Sequence, residues 1–229
     1  MLELRKLRRG LFLKLPSTEV IDLVRAAGFN FVVVDLEHSQ LGEGDARALV
    51  RHARAIGFPA LVRLAQLDRG LVNRLLEAGA AGIQLSTVRR AADVRQLRAA
   101  TRYAPAGTRS ISLAHPQAGY GATTLADYLA AEAEDPPLVV AQIETAETDD
   151  TLDEILAQRP DVVFLGMTDL SVDLGLDHDR VRSRVDEVAA AAERADVPLG
   201  AFGLDDPRVT YNLVSSDLTL LRTAVADAA

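Results

Sequence analysis

Phe31-Val32-Val33-Val34, running into Asp35-Leu36-Glu37-His38, is the stretch that decides the fold. Four consecutive apolar, largely β-branched residues suit a strand buried on both faces, as in a parallel sheet covered by helices. The run is too short for a helix and is bounded by Gly28 and by a polar turn. Polar and ionisable residues placed directly after such a strand stand where α/β proteins hold their chemistry.

The same pattern recurs on both sides. Gly10–Leu13, Ala60–Val62, Gly82–Leu85, Leu138–Ile143, Val162–Leu165, Pro198–Phe202 and Leu218–Leu220 read as seven further strands. Helical periodicity fills the intervals: from Pro16-Ser17-Thr18-Glu19 to Ala27, then 43–56, 67–78, 90–101, 147–157, 180–195 and 206–214, with a short last helix. Residues 102–137 break the beat with four prolines and three glycines and carry one predicted helix, 123–133. Eight strands alternating with helices predict an α/β protein, a (β/α)₈ TIM barrel. No Gly-x-Gly-x-x-Gly follows the first strand, which argues against an open dinucleotide-binding sheet. No linker divides the chain, so residues 1–229 are expected to form one barrel domain, with the excursion at about 102–137 over the active site.

Composition narrows the function. The 229 residues carry 25 Lys and Arg against 33 Asp and Glu, a formal net charge of −8. An acidic chain predicts neither a nucleic-acid nor an anionic-membrane partner. The absence of cysteine excludes disulfides, thiolate metal sites and cysteine nucleophiles, and is compatible with the expected cytoplasmic location. The basic cluster Leu4–Arg9 is followed by too short an apolar run for a signal peptide and reads as a solvated first helix turn.

Barrel chemistry collects at the C-terminal ends of strands. Glu144 and Asp169 follow neighbouring strands, about 4.8 Å apart, and could reach a common point. They read either as a pair holding a hard divalent ion or as two solvated loop acids. Asp35 and His38 form Asp-x-x-His, in which a carboxylate could fix an imidazole for proton transfer, unless His38 is simply an exposed loop histidine. Arg63 ends an apolar strand; it either clamps an anion or makes a structural ion pair with Asp35 or Glu37. His115, in the excursion, could touch a substrate. Lys14 is the only lysine placed for a Schiff base. The loops after strands seven and eight offer no glycine-rich anion cradle, so a phosphorylated substrate is not expected.

With these residues, the chain resembles the HpcH/HpaI family of metal-dependent pyruvate aldolases, built on a phosphoenolpyruvate/pyruvate-type barrel. The resemblance runs from Gly10-Leu11-Phe12-Leu13 to Leu220. It is carried by Asp35-Leu36-Glu37-His38, Thr101–Arg109, Val140-Ala141-Gln142-Ile143-Glu144-Thr145 and Phe164–Ser171. It implies that Glu144 and Asp169 hold Mg²⁺, Mn²⁺ or Co²⁺, on which pyruvate chelates through its carboxylate and keto oxygens. It implies further that amides near Gly166 and Thr168 hold that carboxylate, with Gln142 beside the metal. Arg63 would stabilise the enolate oxygen, and His38, oriented by Asp35, would move protons. The implied reaction joins or parts a 2-oxo acid and an aldehyde. An oxaloacetate-type decarboxylase, a coenzyme A ester lyase using the same site and a catalytically silent barrel are the alternatives. The resemblance also implies a homo-oligomer, a hexamer or trimer of dimers. The chain departs from the family's usual pattern at Lys14, Leu64, Ser110 and Met167-Thr168, which leaves the aldehyde open.

Overall fold

The computed structural model describes residues 8–229. Eight parallel strands close in sequence order: β1 Arg9–Leu13, β2 Phe31–Asp35, β3 Ala60–Leu64, β4 Gly82–Leu85, β5 Leu138–Ile143, β6 Val162–Leu165, β7 Leu199–Phe202 and β8 Val209–Ser216. The helices are α1 Thr18–Ala26, α2 Glu43–Ala55, α3 Arg69–Ala78, α4 Ala91–Thr101, α5 Leu125–Glu134, α6 Leu152–Leu156, α7 Met167–Asp173, α8 His178–Ala195 and α9 Asp217–Asp227. The expected (β/α)₈ barrel is thus the observed architecture. No described helix is long and apolar enough to cross a membrane.

Two packed layers hold it. Strand residues pointing outward, such as Leu11, Val32, Val62 and Ile83, meet the apolar faces of the helices. Those pointing inward fill the barrel with Phe12, Phe31, Val33, Phe164, Tyr211 and Leu213. The Phe31 and Tyr211 rings lie 4.4 Å apart between centroids. Gly10 makes room for them, since a Cβ there would overlap the Phe31 ring. The interior is therefore a filled core and not a pore.

The sequence reading fails at the end of the chain. Residues 209–216 are β8, where a helix over 206–214 was expected, and Leu218–Leu220 lies inside α9. The reason is local: Tyr211 and Leu213 alternate with Thr210 and Asn212, a period of two that drives the two large apolar side chains inward. The assumption that a helix follows every strand obscured it, because β7 passes to β8 through residues 203–208 alone. The helix expected over 147–157 is the shorter α6, started by a Thr151–Glu154 capping box. Helix α7 opens directly after β6, where a loop was expected. Of the basic N-terminal cluster, residues 4–7 lie outside the described residues, and Arg9 opens β1 instead of a helix turn.

The excursion also lies elsewhere than expected. Helix α4 carries the chain from the mouth to the opposite end of the barrel before the excursion begins. Its contacts are accordingly along the flank: Arg109 donates to Asn73 of α3 at 3.1 Å and to Glu132 of α5 at 2.6 Å. His115 is buried there, with Nε2 2.8 Å from the Ser112 carbonyl oxygen and its ring against Tyr128. A cavity of about 510 Å³ is lined by Gln117 and Tyr128, by Ala60 at the start of β3 and by Ala80 and Ala81 just before β4.

The packing of Gly10 against Phe31 gives a direct test. Gly10→Ala should lower stability by about 1–3 kcal/mol, the usual cost of overfilling a packed core. Urea unfolding measures it, and an unchanged midpoint would contradict the interior described.

Candidate active site

The C-terminal mouth is lined by a continuous set of polar side chains beginning at Asp35. This last residue of β2 has no solvent exposure. Arg63, its register partner on β3, grips it with two bonds, Nε to Oδ1 at 2.9 Å and Nη2 to Oδ2 at 2.6 Å. Lys14, just beyond β1, places Nζ 3.1 Å from Oδ2. The Glu37 and His38 backbone N–H groups both donate to Oδ1 at 3.1 Å. Burial opposes ionisation of Asp35, but the Arg63 hydrogen bonds and charge, with help from His38 N–H and Lys14, lower its pKa from 3.8 to about 2.

This arrangement revises one expectation and resolves another. Asp35 does not accept from the His38 imidazole; it holds the His38 backbone, because cations and N–H donors already occupy the carboxylate. The imidazole is half exposed, with Nε2 3.7 Å from Glu37 Oε2. For Arg63, the structural ion pair with Asp35 is formed. The guanidinium also lies 4.2 Å over the Phe12 ring, which fixes its plane. Its third nitrogen, Nη1, has no recorded partner among the described residues and remains available to an anion. Lys14 is committed to Asp35 and to the His38 carbonyl oxygen, 3.0 Å away.

A second cluster faces the first. Glu144, one residue past β5, is 5% exposed. Its Oε1 accepts from Thr87 N–H at 2.7 Å and from Thr87 Oγ1 at 2.6 Å. Its Oε2 accepts from the Gln142 amide. Gln142 in turn accepts from Gln84 Nε2 at 2.6 Å. Every partner of Glu144 is neutral, and no cation pairs with it among the described residues. Gly166 follows β6 and lies so close that a Cβ would overlap Glu144 Oε2. Asp169 stands in the first turn of α7, which Gly166 starts. Its exposed carboxylate has no hydrogen bond or ion pair among the described residues. Ser86 joins the two clusters, donating to Glu37 Oε2 at 2.5 Å from the residue before Thr87.

The donor set fits a hard divalent cation. It offers carboxylate oxygens and no sulfur. Among the described residues no group of three or more His, Asp or Glu side chains forms a ready cage. Two protein ligands, with remaining positions for water and substrate, is the usual arrangement for Mg²⁺-type ions.

Gln84, Ser86, Thr87 and Asp217 were missed from sequence. Gln84 lies within β4, and Ser86 and Thr87 follow it directly, so these two carry the same signal as the other polar residues placed after strands. Asp217 accepts from the Lys14 and Leu15 N–H groups at 2.9–3.0 Å and so ties the end of β8 to the end of β1. The misplaced eighth strand concealed it. His115, considered for substrate contact, is remote from this mouth.

Comparisons with known proteins agree with the geometry. Residues 8–206 match the family model for HpcH/HpaI aldolase/citrate lyase. A hydroxypyruvate/pyruvate aldolase of Sagittula stellata is 28% identical over 94% of this chain and 89% of its own length. A 4-hydroxy-2-oxo-heptane-1,7-dioate aldolase of Salmonella paratyphi B is 34% identical over 85% and 72%. The crystal structure of an HpcH/HpaI aldolase from Desulfitobacterium hafniense superposes with a TM-score of 0.88 at 29% identity, covering 98% of this chain and 92% of that one. With three of the four motifs that carry the resemblance meeting at one barrel mouth, and the family model matched over most of this chain, the chain belongs to the HpcH/HpaI aldolase/citrate lyase family.

Proposed function

We propose that this protein is a divalent-metal-dependent carbon–carbon lyase that parts or joins a pyruvate-like 2-oxo acid and an aldehyde. The observation that carries this reading is the Glu144 carboxylate, 5% exposed and, among the described residues, surrounded only by neutral donors. A buried carboxylate needs a counter-charge or a metal. Asp169, unpaired among the described residues and in the turn that begins beside Glu144, supplies the second ligand. Mg²⁺, Mn²⁺ or Co²⁺ suits these oxygens. Such an ion acts as a Lewis acid toward the 2-oxo carbonyl.

The chain's own residues supply the rest. In cleavage, the bond between C3 and the hydroxyl-bearing carbon breaks and its electron pair passes into the pyruvate carbonyl. Arg63, held by Asp35 and Phe12, aims Nη1 at the oxygen on which charge develops. His38 takes the hydroxyl proton as the aldehyde forms, and C3 regains a proton when pyruvate is released. Gln142 borders Glu144, and the Thr168 N–H in the first turn of α7 is offered to the substrate carboxylate, whereas the Gly166 N–H, expected to share that role, is spent on the Ile143 carbonyl oxygen at 3.0 Å. The named activities of the relatives support this reaction class. Half-exposed Leu218, Leu220 and Leu221 on α9 support association of several copies of this single-domain barrel.

Protein purified without added metal and then loaded with Mn²⁺ tests the ligand pair. Glu144→Ala and Asp169→Ala should each bind far less Mn²⁺ than the unaltered protein and lose turnover of a 4-hydroxy-2-oxo acid. Equal metal content in all three would refute the assignment.

Acid titration tests the Arg63–Asp35 pair. Because the Asp35 pKa is lowered on folding, its contribution is complete above about pH 4 and is lost as pH falls through 2. That contribution is about 2 kcal/mol. Urea unfolding at pH 4 and pH 2 should show this loss, and Asp35→Asn should lack it. The same pH dependence in both proteins would contradict the proposed linkage.

A further inference from the structure

Thr87 combines an unfavourable backbone with two bonds to one atom. Its φ is +51°, in the left-handed region that β-branched residues rarely occupy. Residues are held in such conformations where the surroundings over-determine them, and these places cluster at functional sites. Here both neighbours are fixed. Ser86 N–H donates to the Leu64 carbonyl oxygen at 3.0 Å, and Val88 N–H to the Gln142 carbonyl oxygen at 2.9 Å. Between these anchors on β3 and β5, the left-handed turn delivers the N–H and the hydroxyl of Thr87 to the same oxygen, Glu144 Oε1.

The two bonds determine what Glu144 can still do. A carboxylate oxygen has two lone-pair directions. Those of Oε1 are both used by Thr87. Among the described residues Oε2 accepts only from Gln142, which leaves it one lone-pair direction, and the missing Cβ of Gly166 lets it stand directly against that residue's backbone. We propose that Thr87 is a positioning residue that rotates Glu144 so that it binds the divalent cation through Oε2 alone. This rests on the metal reading above. It adds that the hydroxyl of Thr87, and not the turn as such, sets the affinity of the site.

Mn²⁺ binding, followed by the electron paramagnetic resonance signal of the free ion, tests this without using activity. Thr87→Val keeps the shape and removes the hydroxyl. It should weaken Mn²⁺ binding about 10- to 100-fold, as loss of a partner that orients a ligand usually does. Thr87→Ser restores the hydroxyl and should bind within about threefold of the unaltered protein. Thr87→Gly removes both the strain and the hydroxyl; it should melt no lower than the unaltered protein yet bind as weakly as Thr87→Val. Mn²⁺ affinity retained in Thr87→Val or Thr87→Gly, with Glu144→Ala inactive in binding, would overturn the role of Thr87 and leave the metal site standing. Affinity retained in Glu144→Ala as well would overturn both. A Thr87→Gly protein that melts several degrees lower but keeps its Mn²⁺ affinity would make Thr87 an ordinary turn residue.

Discussion

The ion pair between Arg63 and Asp35 is the constraint on which the mouth of this barrel depends. Both groups are almost fully buried, where an unpaired charge is costly. Neither could stand at its strand end without the other. The pair sits at matched register on β2 and β3, so strand pairing places the charges before any side chain adjusts. Asp35 in turn holds the backbone of Glu37 and His38 and the amine of Lys14. One carboxylate thereby fixes a turn, a lysine and the plane of a guanidinium.

The opposite side of the mouth works by contrast. Asp35 has two cations, whereas Glu144 has none among the described residues and is held by a backbone N–H, a hydroxyl and an amide. One carboxylate is paired with cations of the chain; the other, among the described residues, meets only neutral donors. Ser86 and Thr87 lie between them, bonding to Glu37 on one side and Glu144 on the other. In the proposed reaction, this juxtaposition would let a cation at Glu144 and Arg63 act on the same carbonyl oxygen without competing for the same acid.

Most of this was legible in the sequence because the barrel's rules are local. A strand buried on both faces announces itself in Phe31–Val34, and the site follows from reading what comes after each strand. Asp35, Arg63, Gln142 and Glu144 emerged in that way. The failures have physical causes. Tyr211 and Leu213 belong to a strand of period two, which the expectation of a helix between β7 and β8 overrode, and with it Asp217 was lost. The partner of Asp35 could not be chosen from spacing, since His38 is closer in sequence but Arg63 is adjacent across the sheet. The conformation of Thr87 has no sequence signature, because nothing in Leu-Ser-Thr-Val predicts a left-handed threonine.

The central claim is that Glu144, Asp169 and Arg63 together make a site that loosens a proton on the methyl carbon of pyruvate. The most direct measurement avoids the unidentified aldehyde. The protein is incubated with pyruvate in D₂O, with Mg²⁺ or with EDTA, and the methyl proton signal is followed by NMR. The account predicts exchange with Mg²⁺ that ceases with EDTA and is lost in Glu144→Ala. Exchange that continues in EDTA, or none in the presence of Mg²⁺, Mn²⁺ or Co²⁺, would contradict it.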